Sequence, residues 1–140
     1  MKTFFLLLFF SKTVLLTPVP ISIGSDWIEV NPDETFSAIT GGAAIYIDVS
    51  SYVSAELDLS QQVEVVENQF PNGSITGIIF DEDEKEYSVA NKGSSHGADS
   101  VRLLMNFGAP MPTDVEFTKI VLRSDKQLEQ VSVYWKNGKH

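Results

Sequence analysis

Residues 116–136, EFTKIVLRSDKQLEQVSVYWK, alternate along both of their halves. In the first half Phe117, Lys119, Val121 and Arg123 interleave with Thr118, Ile120 and Leu122. In the second, Val131, Val133 and Trp135 interleave with Ser132, Tyr134 and Lys136. A period of two sends alternate side chains to opposite faces of a sheet. The link Ser124-Asp125-Lys126-Gln127 is rich in turn formers, with no helical apolar stripe behind it. The stretch predicts a β-hairpin. Trp135 then belongs to the core with Val131 and Val133, and Tyr134 faces the other way with Ser132 and Lys136.

The same grammar runs upstream. Residues 100–106 (SVRLLMN) set Val101, Leu103 and Met105 on one face, and GAPMP at 108–112 cannot continue a ladder. Residues 75–90 predict a hairpin with its acidic tip at DEDEK, followed at 91–98 by NKGSSHGA, the composition of a mobile loop. QVEVVE at 62–67 reads as a strand, QFPNG at 69–73 as a turn, and residues 50–60 as a loop or weak strand. At 43–49, Ile45, Ile47 and Val49 alternate with Ala44, Tyr46 and Asp48. Trp27-Ile28-Glu29-Val30 is a short strand closed by Asn31-Pro32-Asp33. Seven or eight short strands, without an amphipathic helix, predict an all-β, two-layer antiparallel β-sandwich of jelly-roll-like or immunoglobulin-like order. An eight-stranded barrel is the lesser alternative.

Residues 1–24 have the layout of a secretory signal peptide. Lys2 precedes an apolar run, and Ser22-Ile23-Gly24 places small residues before a cut at Ser25. Even continued to Leu16, the apolar region is short for a bilayer span. The expectation is a single exported domain over residues 25–140, periplasmic or extracellular, with no membrane span in the mature chain. Lys12 interrupts the run, and the alternative is that residues 13–23 form an edge strand, where Pro18 and Pro20 are tolerated. Without cysteine the chain has no disulfide framework and no thiolate nucleophile or metal ligand.

The formal net charge is −9, and its distribution is uneven. No Lys or Arg occurs from Thr13 to Glu84, where 13 carboxylates fall. From Lys85 to His140 eight basic residues face six acidic ones. An acidic surface repels phosphate backbones and offers anionic lipid no basic patch, which argues against nucleic acid as a partner. The asymmetry fits cross-strand pairing within one molecule, or an acidic pole that meets a basic partner or a second copy.

Four groups invite chemistry. Asp81 and Asp83 in the acidic tip offer two carboxylates to calcium, although the spacing of a helix-loop calcium site is absent. Their bland reading is a solvated tip that discourages edge-to-edge aggregation. Ser94-Ser95-His96-Gly97-Ala98-Asp99 holds the residue types of a hydrolase triad but has no nucleophile elbow, so it reads as a polar loop. Tyr46 with Asp48, and Tyr134 with Ser132 and Lys136, are the aromatic–polar sets expected of a ligand-binding sheet face. Asn72-Gly73-Ser74 matches a glycosylation acceptor. The sequence therefore predicts a non-enzymatic acidic binding module for a protein or carbohydrate. The alternative is an assembling subunit of an envelope, appendage or virion.

Overall fold

The computed structural model describes residues 13–96 and 100–137. Its interior is built around Trp135, which is fully buried with Val131 and Val133 on the same face, as the alternation requires. The indole ring lies 4.9 Å from Phe36 and 5.7 Å from Phe117, and its N–H donates to the Ser37 carbonyl at 3.0 Å. A buried indole needs such a partner, since an unsatisfied N–H is costly away from water.

The described chain is all-β and sandwich-like, with one helix. Its strands are β1 (Thr13–Leu15), β2 (Ile21–Ile23), β3 (Ile28–Val30), β4 (Ala44–Asp48), β5 (Ile75–Asp81), β6 (Glu86–His96), β7 (Val101–Asn106), β8 (Phe117–Ser124), β9 (Leu128–Val131) and β10 (Val133–Lys136). The helix, α1, spans Leu59–Gln69. Eight strands form one curled antiparallel sheet in the order β1-β10-β4-β7-β6-β5-β8-β3, and β2 pairs with β9 apart from it. Among the described residues ten short strands stand where seven or eight were expected, grouped as one eight-stranded and one two-stranded sheet.

Three local expectations are corrected. The strands at 117–124 and 128–136 exist, but they are not a hairpin. β8 ladders with β5 and β3, whereas β10 ladders with β1 and β4. The chain is handed from the small sheet to the large one next to Gln130, which takes a positive φ of 54°. QVEVVE is not a strand but the middle of α1. Asp58 caps that helix by accepting the Gln61 N–H at 2.8 Å, while the Gln61 side chain accepts the Asp58 N–H at 3.0 Å. This reciprocal box fixes the first turn. Finally, the loop expected from residue 91 is strand as far as His96; residues 97–99 lie outside the described part.

Part of the leader-like segment is structured. β1 is an end strand of the large sheet, and Pro18 and Pro20 lie in the connection to β2 rather than in a ladder. Leu16 and Ile23 are fully buried in the core. Thr17 accepts the Val133 N–H at 3.0 Å through its hydroxyl, and the Leu16 N–H donates to the Val133 carbonyl at 2.8 Å.

Candidate functional site

Strand registers decide which side chains meet on the outer face of the large sheet. Leu15 opposes Tyr134, Tyr134 opposes Tyr46, and Tyr46 opposes Leu104, which gives one row across four strands. The next row brings Asp48 opposite Arg102, and the Asp48 N–H donates to the Ser132 carbonyl at 3.0 Å. On the far side, Lys136 opposes Thr13 and Ala44. Tyr46, Asp48, Ser132, Tyr134 and Lys136 therefore occupy one continuous patch, and all five are half-buried. Two candidate sets read from separate strands become one site because β10 lies beside β4.

Arg102, opposite Asp48, stands in the same patch, and its only mark in the sequence is its outward place between Val101 and Leu103. Its guanidinium carbon lies 5.1 Å from the Tyr134 ring centroid, within cation–π range. Its Nε is buried without a hydrogen-bond acceptor among the described residues. The facing carboxylate does not supply one. Asp48 Oδ1 instead accepts the Ser50 N–H at 2.9 Å and the Ser50 hydroxyl at 2.6 Å. That hydroxyl in turn accepts the Val101 N–H at 2.9 Å.

Farther across the same face is a shallow groove of about 700 Å³, lined in part by Trp27, Thr76, Ser88, Lys92, Asn106 and Arg123. Trp27 is 46% exposed, and the Arg123 guanidinium carbon sits 4.7 Å from its ring centroid. In the sequence Trp27 is marked only as the first residue of a short strand. Its outward direction follows from the inward alternation of Ile28 and Val30, which was the available signal.

The acidic tip is a different object. Asp81 is buried, and its Oδ1 accepts the Asp83 N–H at 2.8 Å and the Lys85 N–H at 3.0 Å. Oδ2 accepts the Tyr87 hydroxyl at 2.9 Å. Burial pushes its pKa up, but the Lys85 N–H, the Tyr87 hydroxyl and the Asp83 N–H outweigh that and hold it below the ordinary carboxylate value. The phenol responds oppositely: burial and the bond to Asp81 push Tyr87 up. Asp81 therefore closes the turn, while Asp83 is exposed. Among the described residues no group of three or more His, Asp or Glu side chains is arranged to hold a metal ion.

Ser94 and His96 meet on the inner side of β6, under α1, with Ser94 Oγ 2.8 Å from His96 Nε2. Asp99, the acidic residue that ends the run from Ser94, lies outside the described residues. Asn72 is exposed in the turn before β5. No described helix is long and apolar enough to cross a membrane. Comparison with protein-family models, curated proteins and solved structures finds no match to this chain.

Proposed function

We propose that the protein is an exported binding module that engages a protein partner through the Tyr46–Tyr134 patch. The observation that carries the reading is the half-buried Arg102, stacked on Tyr134 beside an aromatic row and with no ion pair among the described residues. A carboxylate or carbonyl from a docked chain would meet the Arg102 guanidinium from its solvent side while Tyr134, Tyr46 and Leu104 supply apolar contact. Tyrosine and arginine are the residues that most often dominate such interfaces. Where β1 stays attached, Leu15, 47% exposed, extends the patch to the sheet edge. Export rests on the layout of residues 1–24. The face works by contact, with the acidic remainder of the surface steering a basic partner.

A photocrosslinking residue at position 134 tests this in the producing cells, with position 64 on the exposed side of α1 as control. A discrete adduct from position 134 alone is expected. Adducts of equal yield from both positions, or from neither, would remove the patch from the account.

A glycan is the second reading, favoured by the exposed Trp27 beside Thr76, Ser88 and Asn106. An aromatic face with hydroxyls and amides suits a sugar ring. Trp27→Ala should then abolish oligosaccharide binding and leave the position-134 adduct unchanged. The partner in the first reading can also be a second copy of this chain, the assembling alternative.

A further inference from the structure

We propose that Ser94, His96 and Gln62 form a nucleophilic serine site that cleaves small acyl esters. It is independent of the binding reading, because it lies on the inner side of β6 and uses no residue of the Tyr46–Tyr134 patch.

The strand itself creates the arrangement. A register irregularity falls between Asn91 and Ser94, with Gly93 at a φ of 80°. Bulges of this kind bend a strand and re-aim its side chains. Beyond it Ser94 opposes Leu103 and His96 opposes Val101, both of which are buried residues of the inner face. Ser94 and His96 thus point toward α1, while Ser95, opposite Arg102, points away.

The hydrogen bonds have a consistent direction. Gln62 Nε2 donates to the Leu57 carbonyl at 3.2 Å, which leaves Oε1 as an acceptor. Oε1 lies 3.3 Å from His96 Nδ1, so the network assigns the ring proton to Nδ1. Nε2 then carries the lone pair and receives the Ser94 hydroxyl at 2.8 Å. A nucleophile held by a base that a third group orients is the general signature of covalent catalysis. Gln62 is steady because it lies in the first turn of α1, which the Asp58–Gln61 capping box anchors.

The pair opens on a cleft of about 700 Å³. Val63, Val66, Phe70 and Leu103 give it an apolar wall for an acyl chain, and Asn72 and Lys92 also line it. In the reaction, Ser94 Oγ attacks the ester carbonyl carbon as its proton passes to His96 Nε2. The carbon–alkoxy bond breaks, and that proton goes to the departing alkoxide. Water, deprotonated by Nε2, then cleaves the acyl-serine to a carboxylic acid and restores Ser94. A neutral amide orients the imidazole without charge support, so turnover should be slow and confined to activated esters.

The test treats the full chain with a fluorophosphonate and, separately, with p-nitrophenyl butyrate. Peptide mass spectrometry should place the phosphonyl adduct on Ser94 of the folded wild type. Ser94→Ala should remove both the adduct and nitrophenolate release, and His96→Ala should slow both by about 10²–10⁴-fold. Ser95→Ala, on the opposite face, should behave as wild type. Melting curves of each variant separate lost chemistry from lost folding. An unlabelled Ser94 in folded wild type, or ester cleavage that survives Ser94→Ala, would overturn the assignment.

Discussion

Asp81 closes its turn with three accepted hydrogen bonds, and this has a consequence for acid stability. Its folded-state pKa lies below its unfolded value, so the stabilisation is complete above the ordinary range of about 3.9 and disappears as pH falls through the lowered value. The melting temperature should therefore fall on acidification below about pH 4, and Asp81→Asn should flatten that limb. Glu29, lowered by the Asn31 amide and by Lys119, acts in the same direction, so only the comparison with Asp81→Asn isolates the turn. Equal acid limbs in thermal melts of the two proteins would show that the turn does not titrate as argued. Gly77 makes a second case at this scale. A Cβ there would lie 2.8 Å from Leu122 Cδ2 and 3.2 Å from the Val121 carbonyl oxygen. Backbone cannot yield as a side-chain end can, so Gly77→Ala should cost about 1–3 kcal/mol in urea denaturation. Trp135→Ala, which empties the aromatic centre, should cost about 3–5 kcal/mol by the same measurement.

Among the elements, what the sequence disclosed depended on whether the signal was local. The inward face of β4, β7 and β10 was legible because a two-residue period survives whatever the strand pairs with. The partners of β8 and β10 were not, since ladders between distant segments leave no mark in either segment. The meeting of Tyr46 with Tyr134 was hidden for that reason, although each tyrosine's outward direction was correct. α1 was misread because Val63-Glu64-Val65 imitates strand alternation with β-branched residues. The helical signal was present in Val63, Val66 and Phe70, and in the Asp58–Gln61 box, with Leu59 left 62% exposed at the start. Asp58→Ala should destabilise the protein by about 0.5–2 kcal/mol, read from the shift of the urea midpoint at constant slope. The N-terminal strands pose a sharper question. A chain beginning at Ser25 lacks Leu16 and Ile23, and burial of such side chains is worth about 1.5–3 kcal/mol each. The loss, about 3–6 kcal/mol together, is a large share of a domain's total stability. Such a chain should unfold far more easily than one retaining β1 and β2, and the intact mass of the protein from its producing cells would show which form is made.

For the whole molecule, the uneven charge is only partly spent inside the fold. β3 brings Glu29 to Lys119 of β8 at 3.3 Å, an ion pair across the division between acidic and basic stretches. This is the cross-strand pairing expected of neighbouring strands of opposite charge. Among the described residues most carboxylates between Asp26 and Glu84 have no such partner, while Arg102 and Arg123 stand over aromatic rings. An aromatic ring leaves a guanidinium's charge unneutralised, so the outer sheet face stays locally positive on a chain of net charge −9. Two copies can then associate by setting the acidic tip of one against the outer face of the other. Such contacts are screened beyond about 10 Å at 0.1 M salt, so association should be strong in dilute buffer and weak in concentrated salt. Sedimentation velocity at about 20 mM and about 500 mM salt decides the matter. Oligomers that dissolve at high salt, and are lost on Arg102→Ala, would identify a second copy as the occupant of the Tyr46–Tyr134 patch. A monomer under both conditions would leave that patch to a different protein, and the crosslink at position 134 should then yield a heterologous adduct.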